Sequence, residues 1–208
     1  MEAVLTTTIG LFGSVHQDEM QQKFGWDDGK SVALFDRFRP DVMCGEVRRS
    51  DYESGADYQG PGEYRRYIFR YCGERNIPFI PCDFFRDEDV DLARRPLAVP
   101  DGEAETAERE FNAIMEEFFR IGGNSKPPFN SPQFNALAKR KQEFQYKYAP
   151  EVTEIIWNRR NRAIVENIKA AAAEHPGANI LVVFGAEHIY WLAEALVGLE
   201  GVEVRFPL

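Results

Sequence analysis

Short apolar runs at residues 4–12, 41–47, 77–82, 180–184 and 202–206 alternate with longer stretches whose apolar residues recur at helical spacing. This alternation is the strongest constraint on the fold. The short runs are rich in Val, Ile and Thr and read as buried strands. Strands separated by helices need crossover connections, and these produce a mainly parallel sheet flanked by helices. The expected class is therefore α/β, with one domain over residues 1–208, a common size for a single core.

The helical stretches have clear limits. Residues 31–38 carry Val32, Leu34, Phe35 and Phe38 and stop before Pro40. Residues 63–75 place Tyr64, Tyr67, Ile68 and Tyr71 on one face, and Pro150 opens a long helix that runs to about residue 174. His175, just before Pro176 and Gly177, reads as a cation at that helix's C-terminal end. Pro78 and Pro81 mark the third strand as an edge or irregular one. From about residue 87 to 150 the alternation breaks, and an aromatic-rich helical insertion precedes the last two strands. Residues 122–128 are expected to interrupt it as a loop. The insertion is expected to cover the strand ends and to wall a pocket with Phe118, Phe119 and Phe129.

The residues suited to chemistry stand at the strand exits. The first strand runs into Gly13-Ser14-Val15-His16, the second into Gly45-Glu46, the third into Cys82-Asp83, and the fourth into Gly185-Ala186-Glu187-His188. Two imidazoles and two carboxylates thus leave the same edge of one sheet, where α/β proteins bind ligands. The glycines let the backbone turn tightly at the strand exits. Arg160 falls on the apolar stripe of the long helix, four residues from both Ile156 and Ile164. A buried guanidinium needs a partner, and Glu46 is the expected one. Arg48 and Arg49, just after Glu46, are further cations expected near the site.

The chain carries 25 Lys and Arg against 34 Asp and Glu, a net charge of −9, with no basic cluster. That argues against nucleic-acid and anionic-membrane partners. No apolar run is long enough to span a bilayer and no export signal is read, so the expectation is a cytoplasmic protein. Cys44, Cys72 and Cys82 form no CxxC pair and read as reduced thiols.

Taken together, Gly13 to His16, Arg39-Pro40-Asp41-Val42-Met43-Cys44-Gly45-Glu46, Arg160-Asn161 and Val182 to His188 resemble the TraB/Tiki superfamily, with its paired GxxH motifs. The chain is more distantly similar to erythromycin esterase-like and ChaN-like haem-binding proteins. The resemblance implies an α/β fold with a site made by His16, Glu46 and His188, and it maps the family's Arg-Asn pair onto Arg160 and Asn161. The chain departs from the pattern at Arg159, where the family is often acidic, and at Glu187, where it commonly has a small residue.

The expected activity is a hydrolase acting on a peptide, amide or ester bond, with His16, Glu46, His188, Arg160 and Asp83 at the site. His16, Glu46 and His188 could hold a divalent metal ion of the Mn, Co, Zn or Fe class, or act without one. The substrate would be a small molecule or a peptide, and homo-oligomerisation is left open. The alternative is a non-catalytic module that binds haem or another apolar small molecule.

Overall fold

The computed structural model describes residues 6–55, 58 and 60–208. Strand β1 is Thr7–Ser14, so the expected start of this strand at residues 4 and 5 lies outside the described residues. Helices α1 (Asp18–Lys23) and α2 (Asp28–Phe38) lead to β2 (Val42–Arg48). The Asp27 side chain caps α2 by accepting from Lys30 N–H, and Arg39 closes the helix in the left-handed region ahead of Pro40. After α3 (Arg49–Glu53), a π turn over Tyr64–Ile68 runs into α4 (Phe69–Arg75), then β3 (Phe79–Asp83).

The insertion comprises α5 (Val90–Ala93), α6 (Ala104–Asn124) and α7 (Pro132–Tyr148). Ser131 caps α7 and Pro132 occupies its first turn. Helix α6 runs through Gly122 and Gly123 to Asn124, so the expected loop starts three residues later than the glycines suggest. One continuous helical stretch then follows: α8 (Pro150–Val152), a π turn over Thr153–Arg159, and α9 (Arg160–Glu174). Strand β4 (Asn179–Gly185), α10 (Ile189–Leu196) and β5 (Val202–Arg205) complete the order.

The five strands form one all-parallel sheet in the order β3-β2-β4-β1-β5. As its prolines require, β3 lies at an edge. Side chains alternate between two buried faces. Ile180, Val182 and Phe184 pack with Ile164 and Ile168 of α9 and Leu192 and Leu196 of α10. Leu181 and Val183 pack on the other face with Leu34 and Phe35 of α2 and Tyr64, Tyr67 and Tyr71. Burial on both faces explains why these strands read as continuous apolar runs. The insertion has its own core of Ile114, Phe118, Phe134 and Phe144, which meets the strand ends through Ala186 and Tyr190. Among the described residues, no helix is long and apolar enough to cross a membrane.

Candidate active site

The connections after β1 and β2 carry the helices of one face, and those after β3 and β4 carry the helices of the other. The strand ends where the two sets diverge leave a crevice. β1 and β4 are neighbours there, with Gly13 opposite Phe184 and Ser14 opposite Gly185. The two Gly-x-x-His frames therefore leave adjacent strands one residue out of step. Asn130 of the insertion fastens the first frame, accepting from Gly13 N–H at 2.7 Å and donating to Gly13 C=O at 2.8 Å.

Glu46 occupies the gap where β2 and β4 part. The Tyr64 hydroxyl fills that gap, donating to Val183 C=O and accepting from Glu46 N–H, both at 2.7 Å. Its loss would leave two buried backbone groups unpaired, at a cost of about 1–3 kcal/mol each. The Glu46 carboxylate is 8% exposed and faces four groups. Oε2 accepts from Gly185 N–H at 2.6 Å and lies 3.2 Å from His16 Nε2. Oε1 accepts from Arg160 Nη2 at 2.7 Å and lies 3.5 Å from His188 Nε2. Both imidazoles thus present Nε2 to the two oxygens of one carboxylate.

Each ring is oriented from behind. His16 Nδ1 donates to Glu63 Oε1 at 2.6 Å, and Ser14 Oγ donates to the same oxygen at 3.0 Å. His188 Nδ1 lies 2.7 Å from Asn161 Oδ1, while Asn161 Nδ2 donates to Trp157 C=O at 2.8 Å. With the amide so placed, Nδ1 of His188 carries the proton and Nε2 is left for chemistry. Trp157 stacks on the His188 ring with centroids 4.3 Å apart.

These contacts set the electrostatics. Burial alone would lower the His16 pKa, but the Glu46 and Glu63 carboxylates outweigh it and hold the ring well above its ordinary 6.5. Burial alone would raise Glu46, but His16 and His188 outweigh it and hold the carboxyl well below its ordinary 4.5. Arg160 bridges Glu46 and Asp83, donating from Nε to Asp83 Oδ1 at 2.6 Å. Burial opposes the charge on Arg160, and the two carboxylates hold it charged all the same.

The site residues expected from sequence accordingly converge, with one division among them. His16, Glu46 and His188 line a cavity of about 400 Å³ whose walls include Phe118, Phe119 and Phe129, as the insertion was expected to supply. Arg160 and Asp83 lie behind Glu46 and line a separate, charged cavity of about 340 Å³. Arg48 faces that second cavity as well, paired with Asp51 and Asp87, and Arg49 is exposed beside Glu53. Neither lines the histidine cavity. Arg159 pairs with Asp89 at 2.5 Å and Glu187 with Lys141 at 2.7 Å.

Sequence reading missed Glu63, Tyr64 and Trp157 as site residues. All three adjoin or lie in the two π turns, a feature often found at functional sites but without a compositional signal.

The residues that could hold a divalent ion are His16, Glu46 and His188. Each ring has Nδ1 tied to an oxygen, as metal-bound histidines do. Each Glu46 oxygen uses one lone pair on Gly185 or Arg160 and keeps one on the imidazole side. As the side chains stand, no group of three or more His, Cys, Asp or Glu among the described residues is arranged to hold a metal. Cys44, Cys72 and Cys82 are free and buried.

No protein-family model matches the chain, and no curated protein or solved structure matches it.

Proposed function

We propose that the protein is a hydrolase of carbonyl compounds that uses His188, His16 and Glu46, the residues to which the TraB/Tiki resemblance also points. The observation that carries the reading is the presentation of two imidazole Nε2 atoms to one carboxylate, beside a cavity large enough for a substrate. A ligand-binding module has no need of such an acid/base set.

The 3.5 Å between His188 Nε2 and Glu46 Oε1 is at the outer limit of a direct hydrogen bond. A water on the cavity side can donate to both atoms. In the proposed reaction its oxygen attacks the substrate carbonyl carbon and its proton passes to His188 Nε2. His16, held protonated by its two carboxylates, stabilises the developing oxyanion. The tetrahedral species collapses, the C–O or C–N bond breaks, and the leaving group takes the proton from His188. Glu46 keeps its charge throughout, because Gly185 N–H and Arg160 both stabilise the ionised form.

If a divalent ion takes part, His16, His188 and Glu46 are the residues to hold it, and it would supply a water that ionises near neutral pH. His16 must then give up its Nε2 proton, so occupancy falls as the pH is lowered.

The test is turnover of an ester, amide and peptide panel by chelator-treated protein, with and without added Mn, Co, Zn or Fe(II). Hydrolysis that disappears in the His16→Ala/His188→Ala double variant supports the reading. A wild type no faster than that variant under all conditions rejects it.

A further inference from the structure

We infer that the cavity beside His16 and His188 selects an uncharged, apolar acyl group on the compound that is hydrolysed. The inference rests on the hydrolase reading and specifies its substrate class: neutral esters with an alkyl or aryl acyl chain, cleaved by water to the acid and the alcohol.

The walls come from separate parts of the chain. Met115, Phe118 and Phe119 come from α6, Phe129 from the loop after it, Phe134 from α7, and Trp157 from the π turn before α9. The charged side chains that line the cavity are already matched. His16 faces Glu46 and Glu63, and Glu187 holds Lys141 at 2.7 Å. A carboxylate carried on the acyl chain would lose hydration among Phe118, Phe129 and Phe134, and His16, the cation of the lining, is already shared between Glu46, Glu63 and the reacting carbonyl, so its burial is costly.

The wall has a fixed shape. Phe129 sits at φ 62, a backbone conformation that a bulky side chain rarely adopts and that costs of order 1–3 kcal/mol. The conformation is held from both sides: Phe129 N–H donates to Gly122 C=O at 2.7 Å, and the next residue, Asn130, is fastened to Gly13. The Phe129 ring lies against Gly122 so closely that a Cβ there would stand 2.1 Å from it. Phe129 meets the rings of Phe118 and Phe134 at centroid distances of 5.7 and 5.1 Å. Braced in this way, the wall presents a defined apolar surface beside two oriented imidazoles. Its volume of about 400 Å³ accommodates on the order of a dozen non-hydrogen atoms.

The test uses 4-nitrophenyl esters of acetate, butanoate, hexanoate, dodecanoate, phenylacetate and hemisuccinate. The kcat/KM should rise at least tenfold from acetate to hexanoate and fall at dodecanoate, with hemisuccinate at least tenfold below butanoate. Met115→Trp should move the optimum to shorter chains, and Met115→Ala to longer ones. Binding of 2-octanone, which cannot be hydrolysed, is followed separately by Trp157 fluorescence, with Trp157→Phe as control. Turnover with a flat chain-length profile, or a preference for hemisuccinate, overturns the inference and leaves the hydrolase reading standing. Saturable ketone binding without turnover of any of these esters, with or without added Mn, Co, Zn or Fe(II), overturns the ester class and keeps the apolar selectivity, and the amide and peptide panel then decides the hydrolase reading. Neither turnover nor binding overturns the inference.

Discussion

Glu63 is fully buried, and one of its carboxylate oxygens lies 2.6 Å from His16 Nδ1, while the other meets no donor among the described residues. A carboxylate in this position does more than orient the ring, because together with Glu46 it holds His16 in the charged form.

Replacing Glu63 by Gln keeps the volume and the acceptor oxygen and removes the charge. His16 should then lose its proton at lower pH than in the wild type. If imidazolium at position 16 stabilises the oxyanion, the alkaline limb of kcat/KM should move to lower pH, with the acid limb little changed. NMR titration of the His16 ring gives a reading independent of activity. An unchanged His16 titration in this variant would show that Glu63 plays no electrostatic part.

The same pair predicts how stability depends on pH. His16 has a folded pKa raised above 6.5, so its contribution is complete below about pH 6.5 and is lost as pH rises through the raised value. Glu46 has a folded pKa lowered below 4.5, so its contribution is present above about pH 4.5 and is lost as pH falls through the lowered value. Both are complete only between those two reference points. Thermal unfolding of the wild type should reveal its greatest advantage over His16→Ala in that window. A difference in Tm between the two proteins that does not vary with pH would refute the linkage.

Arg160 stands between two carboxylates that are each 8% exposed. Arg160→Met leaves both buried with their shared cation removed, and the expected loss of stability is about 3–5 kcal/mol. The loss should shrink on acidification, as Glu46 takes up a proton. Adding Asp83→Asn should recover part of it at neutral pH. Denaturant unfolding of the single and double variants checks this, and a single variant as stable as the wild type would contradict the bridging role.

The strand-to-helix alternation and the order of the elements were legible because burial on both sheet faces writes continuous apolar runs into the chain. His16, Glu46 and His188 were legible because each lies at or just after a strand's C-terminal end, and those ends share one edge of a parallel sheet. The adjacency of β1 and β4, which sets the two histidine frames side by side, is a matter of strand order and has no local signature. The division of Arg160 and Asp83 from the histidine cavity was equally hidden, since it depends on which side of Glu46 the guanidinium approaches. Glu63 read as an ordinary first residue of a helix, and only the π turn beside it brings its carboxylate under His16.

The two frame glycines give the last prediction, because the same substitution meets different obstacles at each. A Cβ at Gly185 would lie 2.7 Å from His16 Nε2 and 3.1 Å from Glu46 Oε2, both side-chain ends that can move aside. A Cβ at Gly13 would lie 2.8 Å from the Ala186 Cα, which is backbone and cannot yield without shifting the start of the second frame. Gly185 itself has φ −49, which alanine adopts without strain. Gly185→Ala should therefore fold with a stability loss of about 1 kcal/mol while losing most of its activity, because His16 is pushed off Glu46. Gly13→Ala should lose about 1–3 kcal/mol by overpacking, with activity falling as a consequence. Unfolding curves and initial rates on both variants separate the two cases. Gly185→Ala with wild-type kcat/KM would show that contact between His16 and Glu46 is not required, and the proposed arrangement of the site would fall with it.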